Sequence, residues 1–214
     1  MNVPSEPTPA RRSRRSPDAL RSQILDAASE LFLRDGYANT SIDAVIEKVG
    51  GSKRAIYSHF GGKDDLFAAM VTGLSEQALQ AIHRADERAG DDVRASLEQF
   101  GRAIMRILMD ARTIALYRLV VSECGRIPGL AEAFLQNGPG RATTALTRLL
   151  ERYAGSGQLA IADPRAAAEH FIGMLRDDLH LEVVLGVRKA LGERAQRTRV
   201  EQVVDIFLHG VGPP

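Results

Sequence analysis

The sequence has a single cysteine and no long apolar run, and both shortages narrow what the protein can be. Cys124 has no second cysteine to pair with, which excludes an internal disulfide and favours a reducing compartment. No apolar stretch reaches the roughly 18 residues of a membrane span. The N-terminal arginines are not followed by the apolar segment of a secretory signal. We therefore expect a cytoplasmic protein without a membrane partner.

Sequence motifs of common enzymes are also missing. The chain contains no GxSxG, HExxH or CxxC sequence, and Gly61-Gly62-Lys63 lacks the upstream glycine and the following Ser or Thr of a phosphate-binding loop. Asp177 and His180 have a spacing that suits a metal, but two candidate ligands do not define a metal site. We expect a protein that is not an enzyme and uses no cofactor and no metal.

Charge is unevenly distributed along the 214 residues, of which 44% are hydrophobic and 26% are charged. Residues 1–63 carry ten Lys and Arg against seven Asp and Glu, a net charge of +3, whereas residues 64–214 carry eighteen against twenty, a net charge of −2. The composition is typical of a globular protein with room for a small and a medium domain. The positive N-terminal part indicates an anionic partner.

Much of this positive charge lies in residues 1–16, a stretch rich in Pro and Ser. The segment contains Arg11, Arg12, Arg14 and Arg15. It has too few apolar residues to bury a core, so we expect a disordered basic tail. Two interpretations remain open, a solvated tail or an arm that contacts phosphates or the minor groove of bound DNA.

Helical periodicity dominates the rest of the chain, without the alternating Val, Ile and Thr runs of strands. Capping residues, prolines and glycines set the expected ends, with Thr40 as the predicted cap of the second helix and Pro139 expected to kink or break the seventh. The predicted helices cover residues 17–36, 40–49, 53–60, 63–89, 92–109, 113–126, 128–154 and 164–185, and a last helix contains residues 200–207. This pattern predicts an all-α fold.

The second and third predicted helices are short and separated by Gly50-Gly51, which is the arrangement of a helix-turn-helix. At 100° per residue, Ile56 and Phe60 face one side of the third helix, towards a small core. The polar residues that share the opposite arc are Lys53, Arg54, Tyr57 and Ser58. We therefore predict a three-helix DNA-binding domain at residues 17–62, followed by a larger helical domain at residues 63–214.

At this point the chain resembles the TetR/AcrR family of transcriptional regulators over about residues 20–71. The matching residues are Ile24-Leu25-Asp26-Ala27-Ala28, Leu31-Phe32, Gly36-Tyr37, Thr40-Ser41, Gly50, Ser52-Lys53, Tyr57, His59-Phe60 and Lys63. The chain departs from the family at Gly51, where members commonly have a valine, and at Arg54, where they have a smaller residue. A glycine would loosen the turn, and an arginine is a bidentate donor suited to guanine.

The resemblance implies a homodimeric regulator, usually a repressor, that binds double-stranded DNA at a palindromic operator and responds to a small-molecule effector. It also implies dimerisation through the last two helices and a ligand cavity within the larger domain. The expected DNA-binding residues are Thr40, Ser41, Ser52, Lys53, Arg54, Ala55, Tyr57, Ser58, His59 and Lys63. Of these, Thr40, Tyr57, His59 and Lys63 are expected at phosphates and the third helix at base edges. Leu116–Val121 and Asn137–Arg141 further resemble one subgroup of TetR C-terminal domains.

Candidate ligand contacts in the larger domain come from methionines and from polar residues within apolar helices. The candidates are Met70, Met105, Met109, Tyr117, Glu123, Met174 and Asp177. The methionines fit either an adaptable cavity wall or ordinary core gaps. Asp177 and His180 fit either an ion-pair cluster between helices or protomers, or a ligand contact. We expect an apolar or amphipathic effector; the alternative is a regulator without an effector, controlled by a protein partner or by its own abundance.

Overall fold

A computed structural model describes residues 17–50, 52–87 and 90–210. These residues form ten helices and no strand, which confirms the all-α prediction. The helices are α1 (Pro17–Asn39), α2 (Ile42–Val49), α3 (Lys53–Phe60), α4 (Lys63–Glu87), α5 (Val93–Met109), α6 (Ala111–Glu123), α7 (Leu130–Asn137), α8 (Pro139–Gly155), α9 (Pro164–Leu185) and α10 (Glu193–His209). The predictions for the basic tail at residues 1–16 and for Gly51 lie outside the described residues.

The predicted end of the first helix falls at Gly36, and the backbone does leave helical geometry there. Gly36 has φ 81° and ψ 169°, a conformation open to glycine, although helical turns resume as far as Asn39. The predicted cap at Thr40 is wrong by one residue. Ser41 is the N-cap of α2, and its side chain accepts a hydrogen bond from the amide of Ala44 at 3.1 Å. The neighbouring Thr40 is instead buried and donates its hydroxyl to the Gly36 carbonyl at 2.8 Å.

The helix predicted over residues 128–154 is broken into two helices at Gly138-Pro139, the second of the two outcomes expected at Pro139. Gly138 separates α7 from α8 with φ −110° and ψ −97°, and Pro139 takes the first position of α8, where its missing amide hydrogen costs nothing. A side chain at Gly138 would place its Cβ 3.0 Å from the Phe134 carbonyl oxygen. Proline in this sequence therefore starts a helix rather than bending one.

Carboxylates fix the start of three helices in the larger domain. Asp92, Asp110 and Asp163 accept hydrogen bonds from the amides of the first turns of α5, α6 and α9 at 2.9 to 3.1 Å. Asp110 lies before the predicted start at Thr113, so α6 begins at Ala111 and ends at Glu123 rather than near Arg126. None of the helices within the described residues combines the length and apolar character that a membrane span requires.

The buried apolar residues form two cores that meet along α4. The head core joins α1, α2, α3 and the first half of α4 to α6 and α7, and it includes Phe67, Leu119 and Leu130. The C-terminal core joins the second half of α4 to α5, α8, α9 and α10, and it includes Phe100 and Phe171. Because α6 and α7 contribute to the head core, the apolar packing around the helix-turn-helix continues into the larger domain.

Candidate DNA-binding surface and ligand cavity

Helix α3 has one buried face and one exposed face. Ile56 and Phe60 are 1% and 6% exposed and anchor the helix in the head core. Lys53, Arg54 and Tyr57 are exposed, with 53% of the tyrosine accessible. Ser52 and Ser58 are also exposed, and Ala55 lies on the same helix. The polar arc derived from the helical angle is therefore the surface that α3 presents, as a recognition helix requires.

The two cations of this surface differ in their present partners. The Lys53 ammonium lies 2.9 Å from the Asp43 carboxylate of α2, and this hydrogen bond raises the lysine pKa. Arg54 forms no ion pair with the described residues. Both side chains of the pair are exposed, so water and salt screen their attraction and a phosphate can replace the carboxylate. The guanidinium of Arg54 is available for a base edge or a phosphate without breaking an ion pair.

Lys63 opens α4 beside the aromatic ring of Tyr37. Its Nζ lies 4.2 Å from the ring centroid and 3.5 Å from the Ala38 carbonyl oxygen. Partial burial lowers the lysine pKa, and the positive charge of Arg126 lowers it further. A helix N-terminus with an adjacent ammonium suits an anion, which is the chemistry of a phosphate contact.

The remaining predicted DNA contacts differ in accessibility. Thr40 is 2% exposed and its hydroxyl hydrogen is used by Gly36, so its present role is to close the turn before α2. Ser41 is exposed and caps α2. His59 is half-buried, with its ring centroid 6.1 Å from that of Phe60. The assignment of these residues to DNA stays a prediction.

Tyr37 also links the head to the end of α6. Its hydroxyl donates to the Asp64 carboxylate, and burial followed by this hydrogen bond raises the tyrosine pKa. The Arg126 guanidinium lies 4.2 Å from the centroid of the same ring, 3.6 Å from Asp64 and 3.1 Å from Glu123. We call Tyr37, Lys63, Asp64, Glu123 and Arg126 the junction cluster. Sequence reasoning placed Glu123 at a ligand, whereas the structure places it in this cluster.

A cavity of about 410 Å³ lies within the larger domain, between α4, α5, α6, α8 and α9, with one contribution from α7. This volume falls in the range of small-molecule sites. Most of its wall is apolar, and the apolar lining includes Leu79, Ile82, Ile104, Ile107, Leu116, Phe134 and Ile172. The ionisable lining residues are Arg106, Asp110, Arg112, Tyr117, Arg176 and His180.

Tyr117 is the one member of the predicted ligand set that lines this cavity. Met70 is 1% exposed in the head core, and Met105 and Met109 are buried in the C-terminal core. Met174 packs against the C-terminal core without lining the cavity. Of the two interpretations of the methionines, the structure supports core filling.

Asp177 forms an ion pair between helices, one of the two interpretations of its sequence position. Its carboxylate contacts Arg199 of α10, and the same guanidinium donates to the Met174 carbonyl at 2.8 Å. The Asp177 backbone has φ 26°, outside the usual range for a residue with a side chain, and it kinks α9. The kink separates Asp177 from His180, which turns into the cavity wall.

Four further ionisable residues line the cavity: Arg106, Arg112, Arg176 and His180. Of these, His180 fits one of the two interpretations drawn from the sequence, a ligand contact rather than an ion-pair cluster. His180 is 4% exposed, and its ring lies 5.2 Å from that of Tyr117 in an edge arrangement. Burial lowers the histidine pKa, and Arg176, one helical turn earlier, lowers it further. The spacing of Arg176 and His180 within an apolar helix was the available signal, because residues four apart share a helix face.

The C-terminal part of α9 and its exit carry exposed apolar side chains. Leu181, Leu185 and Val187 are 51%, 67% and 78% exposed, and Ile206 of α10 is 46% exposed. Arg118 of α6 holds the end of α9 by donating to the carbonyl oxygens of Val183 and Val184 at 3.0 and 2.6 Å. An apolar surface formed by the last two helices has the character of a protein interface.

A helix-turn-helix with an exposed polar α3, joined to a helical domain that encloses an apolar cavity, defines a DNA-binding regulator. Comparison with known families identifies the family of regulators to which it is similar. A family model described as bacterial regulatory proteins of the tetR family matches residues 24–70, and one described as the C-terminal domain of AefR-like transcriptional repressors matches residues 95–210. The chain belongs to the TetR family of transcriptional regulators, whose members bind DNA and small-molecule effectors and act as dimers.

The similar proteins include an activator and a repressor of transcription. The transcriptional activator FasR of Mycolicibacterium smegmatis is 33% identical over 94 residues, which are 42% of this chain and 43% of that protein. The transcriptional repressor Rv3405c of Mycobacterium tuberculosis is 28% identical over 115 residues, 54% of this chain and 57% of that protein. The chain therefore spans about half the length of these curated relatives.

Solved structures match over a larger share of the chain. A structure described as a TetR-family regulator from Mesorhizobium loti has a TM-score of 0.84 and 25% identity, and the match covers 91% of this chain and 98% of that one. The flavonoid-responsive regulator FrrA has a TM-score of 0.73 and 29% identity, with 88% and 95% of the two chains covered. The whole architecture, and not the DNA-binding part alone, is thus shared with known regulators.

Proposed function

We propose that this protein is a homodimeric repressor, acting in the cytoplasm, that leaves a palindromic operator when a small amphipathic effector enters the cavity. The observation that carries this proposal is the route from cavity to head. Helices α4 and α6 both line the cavity, both contribute to the head core, and meet at the junction cluster. A ligand that moves either helix has a direct mechanical path to Lys63 and to α3.

The dimer follows from the apolar surface of α9 and α10. Leu181, Leu185 and Ile206 expose large side chains that a second copy would bury, and a two-fold axis between protomers would face two α3 helices towards one duplex. Such a dimer reads half-sites about one helical turn, roughly 34 Å, apart, and its two-fold symmetry is the reason for a palindromic operator. FrrA responds to flavonoids by its name, which supports an effector of amphipathic character here.

The test combines selection of the operator with a measurement of release. Selection from a randomised duplex library yields the preferred site, and light scattering gives the mass of the free protein and of its complex. We expect a dimer, an inverted repeat, and a compound that weakens DNA binding by about 5- to 150-fold, the usual range of allosteric coupling. A monomer on DNA would refute the proposal, and a broad screen without any coupled ligand would favour control by a partner or by abundance.

A further inference from the structure

The ionisable residues around the cavity are unbalanced in charge. Three arginines, Arg106, Arg112 and Arg176, line it together with one carboxylate, Asp110, a net charge of +2. Asp110 is already committed to the start of α6, where it accepts hydrogen bonds from the amide and the hydroxyl of Thr113 at 2.9 and 3.2 Å. The three arginines are exposed and form no ion pair with the described residues. The described lining of the cavity therefore carries more positive than negative charge.

A buried polar group points to the same ligand chemistry from inside. His180 is only 4% exposed and lines the cavity. None of the described residues forms a hydrogen bond with its imidazole, and its ring contact is with Tyr117. Burial and the nearby Arg176 lower its pKa, so the ring is neutral at neutral pH and offers one N–H donor and one acceptor nitrogen. Among the described residues, the fully buried side-chain polar atom without a partner is Nε of Arg199, so the imidazole nitrogens of His180 are not sealed in the core. They can meet a ligand oxygen in the cavity that His180 lines.

The apolar lining decides what the rest of the ligand must be. The lining includes apolar side chains such as Ile82, Ile104 and Ile172, which offer no hydrogen bond. Among its uncharged polar residues, the hydroxyls of Ser75 and Thr113 already donate to the Val71 carbonyl and to Asp110, whereas Gln77 and Tyr117 remain available to a ligand. A compact hydrophilic anion such as phosphate would gain nothing from these walls, whereas a hydrocarbon body would bury its surface there. The wall thus favours a molecule with an apolar body, an anionic end and few other polar groups.

We propose that the cavity binds an amphipathic monocarboxylate, whose apolar body fills the space between α4, α5 and α9 and whose carboxylate meets His180 and Arg176, with Arg106 and Arg112 at the rim. The proposal rests on the ligand-responsive function given above and deepens it by naming the effector class. An acyl chain and an aromatic ring system could both supply the body. The carboxylate is the shared chemistry, because charge-assisted hydrogen bonds to guanidinium are stronger than neutral ones.

The test compares acids with their uncharged amides on the full-length protein by calorimetry. The probes are decanoate with decanamide, for an acyl body, and naphthalene-2-carboxylate with naphthalene-2-carboxamide, for an aromatic body. We expect at least one acid to bind about tenfold or more tightly than its amide, the effect of a hydrogen bond to a charged group. The pair with the larger difference identifies the body that fits.

Matched variants locate the effect. Arg176→Gln should reduce the preference for acid over amide several-fold while the affinity for the amide stays within about twofold, since only the charged contact is removed. His180→Phe, which keeps an aromatic ring, should reduce it as well, with the melting temperature reporting on its fold. Arg148→Gln, an exposed arginine of α8 outside the cavity, changes the net charge equally and should leave the preference unchanged.

Three results would overturn the proposal: amides that bind as tightly as acids, no binding of either acid, or equal effects of Arg148→Gln and Arg176→Gln. The release of DNA is measured separately by fluorescence anisotropy. Acids that bind without weakening the DNA complex would refute the proposed release and leave the assignment of the ligand class standing. If only a neutral compound releases the DNA, the proposed release stands and the assignment of a carboxylate ligand is refuted.

Discussion

Replacing Lys63 by alanine tests the proposed phosphate contact at the start of α4. If each protomer loses one contact, a dimer loses two, and the slope of log K against log salt should become shallower by about 1.8, since each phosphate contributes about 0.9. At about 0.15 M salt the same loss of counter-ion release weakens DNA binding by about 30-fold, or about 2 kcal/mol, for every duplex sequence. Fluorescence anisotropy titrations over a series of salt concentrations measure both quantities.

The matched variants separate this effect from packing and from base reading. Lys63→Arg keeps the positive charge near Tyr37 and should retain most of the slope, and Arg148→Ala removes an exposed charge on α8 and should retain all of it. Arg54→Ala should instead flatten base preference in a randomised library, at about 1 to 3 kcal/mol per half-site. An unchanged slope in a folded Lys63→Ala protein would show that this lysine packs on Tyr37 and does not contact DNA.

Two further predictions concern packing and assembly. Gly101→Val should destabilise the fold by about 1 to 3 kcal/mol, because a Cβ added at Gly101 would lie 2.8 Å from Cγ1 of the buried Val200. The control is Gly73→Ala in α4, where an added Cβ meets nothing within 4 Å. This control should not lower the melting temperature. The double variant Leu181→Arg and Leu185→Arg should give monomers by light scattering with unchanged helical circular dichroism, and a dimer of unaltered mass would exclude this surface as the interface.

Helix positions were predictable where local chemistry decides them. Asp92 and Pro164 start helices where the sequence places them, because capping and proline geometry act within a few residues. The break at Gly138 was not fixed by sequence, since a proline within a helical pattern fits either a kink or a new start. The neighbours Thr40 and Ser41 are both capping residues, and burial of Thr40 against the Gly36 turn decides between them.

The cavity was harder to predict than the DNA-binding face, because its lining residues are far apart in the sequence. The exposed arc of α3 follows from one helix and its angle of rotation. The cavity wall combines side chains from six helices, so periodicity identifies Met105 and Met109 as inward-facing without telling a core from a cavity. The kink at Asp177 changes the direction of the helix between Asp177 and His180, and nothing in the local sequence indicates it.

The junction cluster leads to a prediction about communication between the two ends of the molecule. Arg126 follows α6, whose residues Leu116 and Tyr117 line the cavity, and its guanidinium contacts the Tyr37 ring and the Asp64 carboxylate next to Lys63. A ligand that shifts α6 must therefore move or break these contacts. An effector changes DNA affinity only by its different affinity for the two arrangements, so contacts that differ between them carry the coupling.

Arg126→Gln should leave the affinity of the ligand alone and of DNA alone nearly unchanged and reduce the factor by which each weakens the other. Glu132→Gln on α7, an acid outside the cluster, is a control that should keep the full factor. The two affinities are measured by calorimetry and by anisotropy, each with and without the other partner, and reciprocity requires that the two factors agree. An Arg126→Gln protein with full coupling would show that the Arg126 contacts do not carry the signal, which would then pass through α4 or through the packing of α6 in the head core.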